Sequence, residues 1–332
     1  MDEFAFIRDR LAPLAETQPG ARGLTDDAAT LTPPPGAELV ITADALVAGV
    51  HFRNEDPLDG VAAKALRVNL SDLAAKGAAP LGYLLCVVWP RDLPLDAKTA
   101  FVNGLARDQA RYGVGLLGGD TTVGPGPLTI AITAFGAVPA GGFVSRAGAR
   151  PGDGVYVTGT IGDAGLGLRA LRGGLDGMET AAGAAAHRDA LVRAYRAPEP
   201  RLSIAEALRE RAHAAIDISD GLVADAGHVA RASGVAITIE AAHLPVSPAA
   251  RAWVTAQPEE AAALATLATG GDDYEVMFTA PDAAMNGVLA FGSAQDAVQV
   301  VRIGSVEEGA GVRLLDAEGR AIPIAAPGFT HF

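Results

Sequence analysis

Residues 58–90 read LDGVAAKALRVNLSDLAAKGAAPLGYLLCVVWP, and this stretch decides the fold class. Its first part, Leu58–Lys76, is rich in alanine and leucine at helical spacing, which predicts an amphipathic helix. Gly77 and Pro80 end that helix, and the apolar run Leu81–Trp89 has the length of a buried strand. A helix followed directly by a strand is typical of a chain that mixes α and β structure.

The same alternation continues on both sides of this stretch. The predicted strands are Glu38–Ala43, Leu128–Val138, Val155–Thr158, Ala214–Ile218, Val235–Glu240, Tyr274–Ala280, Val298–Gly304 and Val312–Leu315. The predicted helices are Asp96–Tyr112, Ala164–Leu171, Arg201–Arg211, Gly221–Ser233 and Glu259–Thr269, and the Gly- and Ala-rich residues Gly173–Ala186 predict a loop. Residues 141–154 hold the strongest cluster of turn-forming glycine and proline, so we predict two domains, 1–140 and 150–332.

Composition limits the class of protein. The 332 residues are enough for two domains with a large core, and 49% hydrophobic with 20% charged residues is ordinary for a globular chain. The net charge of −13 argues against binding to nucleic acid or to a membrane surface. Cys86 has no second cysteine to pair with, the N-terminus lacks a basic signal segment, and the apolar runs are too short to span a bilayer. We therefore expect a cytoplasmic protein with neither nucleic acid nor membrane as a partner.

Aspartates recur beside glycine and other small residues, most of them at predicted junctions between elements. They are Asp26-Asp27, Asp44 at the predicted end of a strand, Asp72, Asp120, Asp217, Asp220 and Asp272-Asp273. Each one alone is explained by the preference of aspartate for turns and helix N-termini. Carboxylates that converge repel one another, however, and Mg²⁺ with oxygen ligands neutralises them. Since none of the three lysines lies in a P-loop, the pattern predicts phosphoryl transfer assisted by metal ions.

Other kinds of site have weaker support. Residues 113–118 match G-x-G-x-x-G, but a helix is predicted before them, where a dinucleotide-binding motif needs a strand. The six histidines show no zinc spacing, and no G-x-S-x-G motif of a serine hydrolase is present. His51 stays open as a general base, a substrate contact or an ordinary loop histidine.

Taken in order, these motifs resemble the thiamine-monophosphate kinase family of the aminoimidazole-ribonucleotide-synthetase-like superfamily. The matching stretches are Asp26–Ala29, Thr42–Phe52, Lys64–Pro80, Gly118–Thr122, Ser145–Asp153, Thr158–Ala164, Ala215–Leu222, Gly270–Thr279 and Gly328–Phe332. The resemblance implies an α/β (α+β) fold of two domains: an N-terminal domain whose sheet forms a β-barrel in a homodimer, and a C-terminal α/β domain that closes the active site. It also implies ATP-dependent phosphorylation of thiamine monophosphate to thiamine diphosphate. The acceptor phosphate is already ionised, so direct in-line transfer needs no general base.

The resemblance assigns roles to individual residues. Several Mg²⁺ ions would be held by Asp27, Thr42, Ala43 through its carbonyl, Asp44, Asp72, Asp120, Asp217 and Asp220. ATP would be contacted by Tyr112, Gly119, Asp120, Arg146 and Ser219, and thiamine monophosphate by His51, Asp272 and Phe329. Three positions depart from the family pattern: Ala43 replaces threonine, Asp272 replaces glutamate and Thr25 replaces glycine.

Alternatives remain at this stage. A superfamily relative could use ATP on another acceptor, as selenophosphate synthetase or the aminoimidazole ribonucleotide synthetase does. For selenophosphate synthetase, the reactive cysteine and lysine expected near the N-terminus are absent. A non-catalytic nucleotide-binding module is the second alternative, although such a module should have lost several of the aspartates. For Phe329, the alternative to stacking on the thiamine rings is that Phe329 and Phe332 pin the C-terminal tail.

Overall fold

A computed structural model describes residues 2–178, 183–288, 290–291 and 297–330. The chain forms two compact units. Unit 1 holds the residues up to Leu73 together with Ala78–Phe143, and unit 2 holds Ala74–Gly77 and the residues from Val144 onward. Within the described ranges, no helix has both the length and the apolar character needed to cross a membrane.

Unit 1 is built around a four-stranded sheet. Its helices are α1 (Glu3–Phe6), α2 (Leu58–Ala75) and α3 (Leu95–Tyr112), and its strands are β1 (Ala37–Val47), β2 (Ala79–Pro90), β3 (Leu116–Gly124) and β4 (Thr129–Pro139). Short π- and 3₁₀-helical turns occupy Ile7–Leu11, Ala12–Ala15 and Pro19–Leu24. The strand order is β1-β4-β2-β3. β4 runs antiparallel to β1 and β2, and β3 runs parallel to β2, so β1 and β3 are the two edges.

The two faces of this sheet differ. On one face, Leu85 and Ile132 are buried and α2 and α3 pack over the strands. On the other face, Leu39 and Ile41 of β1 are 41% and 61% exposed, and Cys86 of β2 is exposed as well. We call this second face the open face; it is largely apolar along β1, which is unusual for a surface in contact with water.

Unit 2 contains a larger, mixed sheet. Its helices are α4 (Asp163–Arg172), α5 (Ala184–Arg196), α6 (Ala205–Arg211), α7 (Leu222–Ser233), α8 (Pro248–Thr255), α9 (Glu260–Ala268) and α10 (Asp282–Met285). Its strands are β5 (Asp153–Thr158), β6 (Ala214–Asp217), β7 (Ala236–Glu240), β8 (Val276–Pro281), β9 (Ala290–Phe291), β10 (Val298–Glu307) and β11 (Gly311–Leu315). The order is β11-β7-β10-β5-β8-β6, and β9 pairs with β10. Only β11 and β7 are parallel neighbours among these pairs.

Alternate residues of β5 and β8 enter two different apolar clusters, as the two-residue period of a strand requires. Val157 and Met277 lie in the cluster that also contains α7 and α9 residues. Tyr156 and Phe278 point to the other side, where their rings stack with centroids 5.4 Å apart. The sheet is therefore buried on both faces, and the α/β fold class predicted from the sequence is confirmed.

Several sequence predictions need correction. Asp44 does not end a strand, because β1 continues three residues further to Val47. β3 was not predicted, since the glycines and the aspartate at its centre interrupt the apolar pattern that identifies strands. The predicted loop Gly173–Ala186 is shorter than expected, because α5 begins at Ala184; its residues 179–182 lie outside the described residues.

Candidate active site

On the helix-covered face of the unit 1 sheet, β1 and α2 bring three predicted metal ligands together. Thr42 and Asp44 are two residues apart on β1 and share a face, and Asp72 projects from α2. The Thr42 hydroxyl donates a short hydrogen bond to Asp72 Oδ2. The backbone N–H of Asp44 donates to Oδ1 of Asn69, one turn of α2 before Asp72, at 3.2 Å. Ala43 lies between these residues and its side chain faces the open face.

Asp44 and Asp72 form a strained electrostatic pair. Burial raises the pKa of Asp44 to about 6, and the negative charge of Asp72 adds to that shift. Among the residues that the structure describes, neither carboxylate has an ion pair with a basic side chain. Two half-buried carboxylates and a hydroxyl, all oxygen donors, are the ligand set that Mg²⁺ prefers, so these residues fit a magnesium site.

A second group of predicted ligands lies at the β3 edge. Asp27, Gly119 and Asp120 line one cavity of about 680 Å³ together with Asp26. Gly119 has a φ of +144°, and a Cβ on it would lie 1.8 Å from the carbonyl oxygen of Leu85. Glycine is therefore required at position 119, because it lets β3 approach β2 closely. The next residue, Asp120, stays exposed.

The two groups are separated within one chain. Asp44 pairs with Ile132, which pairs with Leu85, which pairs with Gly119, so this row crosses the whole sheet. Three strand spacings place Asp44 and Gly119 about 14 Å apart along a flat sheet. Asp120 also projects from the open face, whereas Asp44 projects from the helix-covered face. One ion cannot bind both Asp44 and Asp120 of the same chain.

His51 follows β1 in a tight turn that fixes its ring. Its Nδ1 accepts a hydrogen bond from the backbone N–H of Val47 at 3.0 Å, which assigns the proton of the neutral ring to Nε2. The buried Lys64 of α2 donates to the His51 carbonyl at 3.0 Å. His51 can thus present an N–H donor, which suits a substrate contact.

In unit 2, β6 ends on the buried Asp217 and leads through the turn Ile218–Gly221 into α7. Ser219 and Asp220 lie in this turn. Its backbone is held by a residue that the sequence did not point to: Oδ2 of Asp225 accepts hydrogen bonds from three consecutive N–H groups. Burial, and next the charge of Asp220, raise the pKa of Asp225 to about 7.

Arg146 and His228 lie beside this turn. One ligand atom each from Asp220, Asp225 and His228 fall within 4.8 Å of one another. Burial lowers the pKa of His228, and the positive charge of Arg146 lowers it further. The structure therefore brings together Arg146, Ser219 and Asp220, which were predicted to contact ATP and metal.

The predicted acceptor contacts of unit 2 adjoin the same turn. The N–H of Asp272 donates to the carbonyl of Ser219 at 2.8 Å, and the N–H of Phe329 donates to the carbonyl of Asp220 at 2.9 Å. The Phe329 residue is 50% exposed. The C-terminal tail thus returns to the turn through its backbone, while Phe332 lies outside the described residues.

Comparisons with known proteins match this arrangement. Residues 25–138 match the family model of the AIR synthase related protein N-terminal domain, and residues 150–316 match its C-terminal domain. Thiamine-monophosphate kinase of Caulobacter vibrioides is 44% identical over 99% of this chain and 90% of its own length. Among solved structures, thiamine-monophosphate kinase of Stenotrophomonas maltophilia is 38% identical with a TM-score of 0.81, covering 97% of this chain and 98% of that one. AaThiL complexed with AMPPCP and TMP is 32% identical with a TM-score of 0.76, covering 92% and 91%.

The chain belongs to the thiamine-monophosphate kinase family. The resemblance drawn from the ordered motifs is confirmed, and so is the expectation of a kinase in a two-domain fold of this superfamily. Family membership also decides against the non-catalytic module.

Two of the three departures of this thiamine-monophosphate kinase family member from the family pattern, at residues 272 and 25, have local explanations. Asp272 has a φ of +73°, a left-handed conformation that aspartate adopts more readily than glutamate does. Thr25 has a φ of −107°, so this position does not need the glycine of the family pattern.

Tyr112, the last residue of α3, has the guanidinium carbons of Arg67 and Arg111 at 5.6 Å and 5.3 Å from its ring centroid.

Asp44→Asn is expected to stabilise the metal-free protein. The pKa of Asp44 is raised in the folded state, so its ionisation costs folding free energy as pH rises from about 4 to 6, and the cost is complete above that. At pH 8 in EDTA, we expect the variant to gain about 1–3 kcal/mol and to melt a few degrees higher in a thermal scan.

The gain should vanish below about pH 4, where wild-type Asp44 is already protonated. The exposed Asp27 provides the control, since Asp27→Asn should leave the melting temperature unchanged. A pH-independent gain, or a loss of stability, would contradict the assigned cost of burying the Asp44 charge beside Asp72.

Proposed function

We propose that this protein transfers the γ-phosphoryl group of ATP to the phosphate of thiamine monophosphate, which yields thiamine diphosphate and ADP. The observation that carries the proposal is the half-buried pair of carboxylates, Asp44 and Asp72, which have no basic partner among the described residues of a chain of this family. A relative of that family binds AMPPCP, an analogue of ATP, together with TMP. Both substrates of the proposed reaction are anions, so a site made of carboxylates can receive them only with cations.

Bound Mg²⁺ would supply the positive charge that lets two anionic substrates meet and that stabilises the transferring phosphoryl group. The residues point to more than one ion. Asp44 and Asp72 lie on one edge of the unit 1 sheet, Asp27 and Asp120 lie on the other, and Asp220 belongs to unit 2. We infer that each group holds its own ion or ions, with the Thr42 hydroxyl and the carbonyl of residue 43 as further oxygen donors to the first.

The chain's own side chains bind and orient the substrates. Arg146 and Ser219 contact ATP beside Asp220. His51 donates its Nε2–H to the acceptor, and the Phe329 ring stacks on the cationic thiazolium or the pyrimidine of thiamine monophosphate. The attacking oxygen belongs to a phosphate that is ionised at neutral pH, so transfer proceeds in line and directly, with no general base and no covalent enzyme intermediate.

Both parts of the chain contribute to this reaction. We infer that residues 1–140 supply most of the magnesium ligands, the nucleotide contacts Tyr112 and Gly119, and the subunit contacts. Residues 150–332 supply the magnesium ligands Asp217 and Asp220 and the nucleotide contact Ser219. They also supply the acceptor contacts Asp272 and Phe329.

Activity should depend on divalent metal. Purified protein incubated with ATP, Mg²⁺ and thiamine monophosphate is expected to form thiamine diphosphate, detected by chromatography, and excess EDTA should abolish its formation. Asp72→Asn and Asp120→Asn should each lower kcat by about two orders of magnitude or more, because each removes an anionic metal ligand.

The matched control is Asp9→Asn, an exposed aspartate outside all three groups, which should keep wild-type activity. Full activity in EDTA would reject the metal-assisted mechanism. If product forms from another acceptor but not from thiamine monophosphate, the proposed acceptor is wrong.

Phe329→Ala should raise the KM for thiamine monophosphate severalfold and leave the KM for ATP nearly unchanged. A desolvated cation on an aromatic face contributes about 0.5–2 kcal/mol, and the alanine variant loses it. His51→Ala should give the same pattern, because it removes an N–H donor to the same substrate. Steady-state kinetics with each substrate varied in turn provide the measurement.

Phe4→Ala is the control for the loss of an exposed phenylalanine and should change neither KM. If Phe329→Ala instead lowers the melting temperature and moves both KM values together, the ring is a structural clasp for the tail.

We also propose that the protein is a homodimer whose subunits meet through the open face of the unit 1 sheet. That face exposes Leu39 and Ile41, and the unpaired edges β1 and β3 leave backbone hydrogen-bonding groups that a second sheet can satisfy. Two such sheets facing each other would close into the β-barrel expected of the family.

Ile41→Asp should therefore convert the dimer into a monomer, measured by light scattering at micromolar concentrations. The carboxylate would be buried without a partner in the subunit interface, which is strongly unfavourable. Leu95→Asp, an equally simple change of an exposed apolar residue at the start of α3, should leave the dimer intact. A monomeric wild-type protein would refute the proposal.

A further inference from the structure

Asp225 lies at the centre of a hydrogen-bond network that the proposed mechanism does not use. It is 2% exposed, and its Oδ2 accepts the N–H of Ser219 at 3.1 Å, of Asp220 at 3.1 Å and of Gly221 at 3.2 Å. Three converging donors are enough to satisfy a buried carboxylate oxygen. Asp225 therefore fixes the backbone of the turn in one conformation.

The carbonyl groups of that same turn point the other way and carry two further segments. The Ser219 carbonyl accepts the N–H of Asp272, and the Asp220 carbonyl accepts the N–H of Phe329. Next to Phe329, Gly328 lies so close that a Cβ on it would be 2.4 Å from the Asp220 carbonyl oxygen. The peptide groups of the turn thus connect Asp225 on one side to both acceptor segments on the other.

We propose that Asp225 is a positioning residue that sets the nucleotide contacts and the acceptor contacts of unit 2 at the same time. Through the N–H groups of the turn it orients Ser219 and Asp220, and through the carbonyl groups it orients Asp272 and Phe329. The names of the two substrates rest on the proposed function, whereas the coupling between the segments rests on the hydrogen bonds alone.

A role for Asp225 as a metal ligand is the competing interpretation, because Asp220 and His228 are close to it. The two roles differ in what an asparagine can replace. In Asp225→Asn the amide oxygen can still accept the three N–H groups, and the amide NH₂ group can face the Asp220 carboxylate. A metal ligand loses its charge in the same substitution, so its affinity for the ion falls.

Hydrogen exchange on the protein without substrates or metal gives the first test. Asp225→Ala should speed exchange about tenfold or more at the amides of Asp272 and Phe329 as well as within the turn, whereas Asp225→Asn should keep the wild-type rates. Faster exchange in the turn alone would overturn the proposal, and so would unchanged exchange in the alanine variant. This result does not depend on which substrates the enzyme uses.

Kinetics give the second test. Asp225→Ala should lower kcat and raise the KM values for both ATP and thiamine monophosphate, whereas Asp225→Asn should stay within about threefold of wild type in all three. Phe329→Ala removes a side chain of the acceptor segment without entering the turn and should raise the KM for thiamine monophosphate alone. If Asp225→Asn is as impaired as Asp225→Ala and binds Mn²⁺ more weakly in calorimetry, Asp225 is a metal ligand and the proposal fails. If Asp225→Ala changes only the amount of folded protein, the proposal fails as well. A wild-type protein without kinase activity would reject the proposed function, but the hydrogen-exchange result would still stand.

Discussion

The burial of the Asp44 carboxylate beside the charge of Asp72 is the constraint on which the arrangement of unit 1 depends. Both carboxylates are held half-buried, one on β1 and one on α2, and desolvation, followed by the charge of Asp72, makes the ionisation of Asp44 unfavourable. A chain selected for stability alone would place a basic or apolar residue there. Instead, the almost fully buried α2 and the sheet beneath it hold the two groups in place, which would assemble the ligands of the proposed cation in advance.

In unit 2, several buried carboxylates are stabilised by hydrogen bonds or by an ion pair. Asp225 is satisfied by three backbone N–H groups, and Glu275 is paired with Arg201 and accepts from the Thr158 hydroxyl at 2.7 Å. Asp273 accepts from the backbone N–H groups that begin α4. A carboxylate whose oxygens accept several backbone N–H groups, or are paired with a basic side chain, fixes the structure. Among the described residues Asp44 and Asp72 have no such donors, and this distinguishes them as candidate metal ligands from the positioning residue Asp225.

The local sequence pattern was sufficient to predict part of the fold and part of the candidate site. The helix–strand pair formed by α2 and β2, and the ordered aspartate motifs, could be predicted because each depends on neighbouring residues. Asp225 gave no signal, since it lies at the fourth position of its helix, one residue beyond the third position at which a capping-box carboxylate is expected. The separation of Asp44 from Asp120 was also unpredictable. It follows from the strand order and register, which are set by pairings between distant segments and not by either motif.

The register also links the open face to the chemistry of its edge. Along β1 that face carries Leu39 and Ile41, whereas along β3 it carries Asp120 and Thr122, with Cys86 between them. An apolar surface can cover the β1 side favourably, but the same surface placed over Asp120 would bury an unpaired charge. Any subunit that covers this face must therefore leave the β3 edge open to water and ions or bring positive charge to it. The composition of this sheet face thus favours burial near β1 and exposure to water near β3.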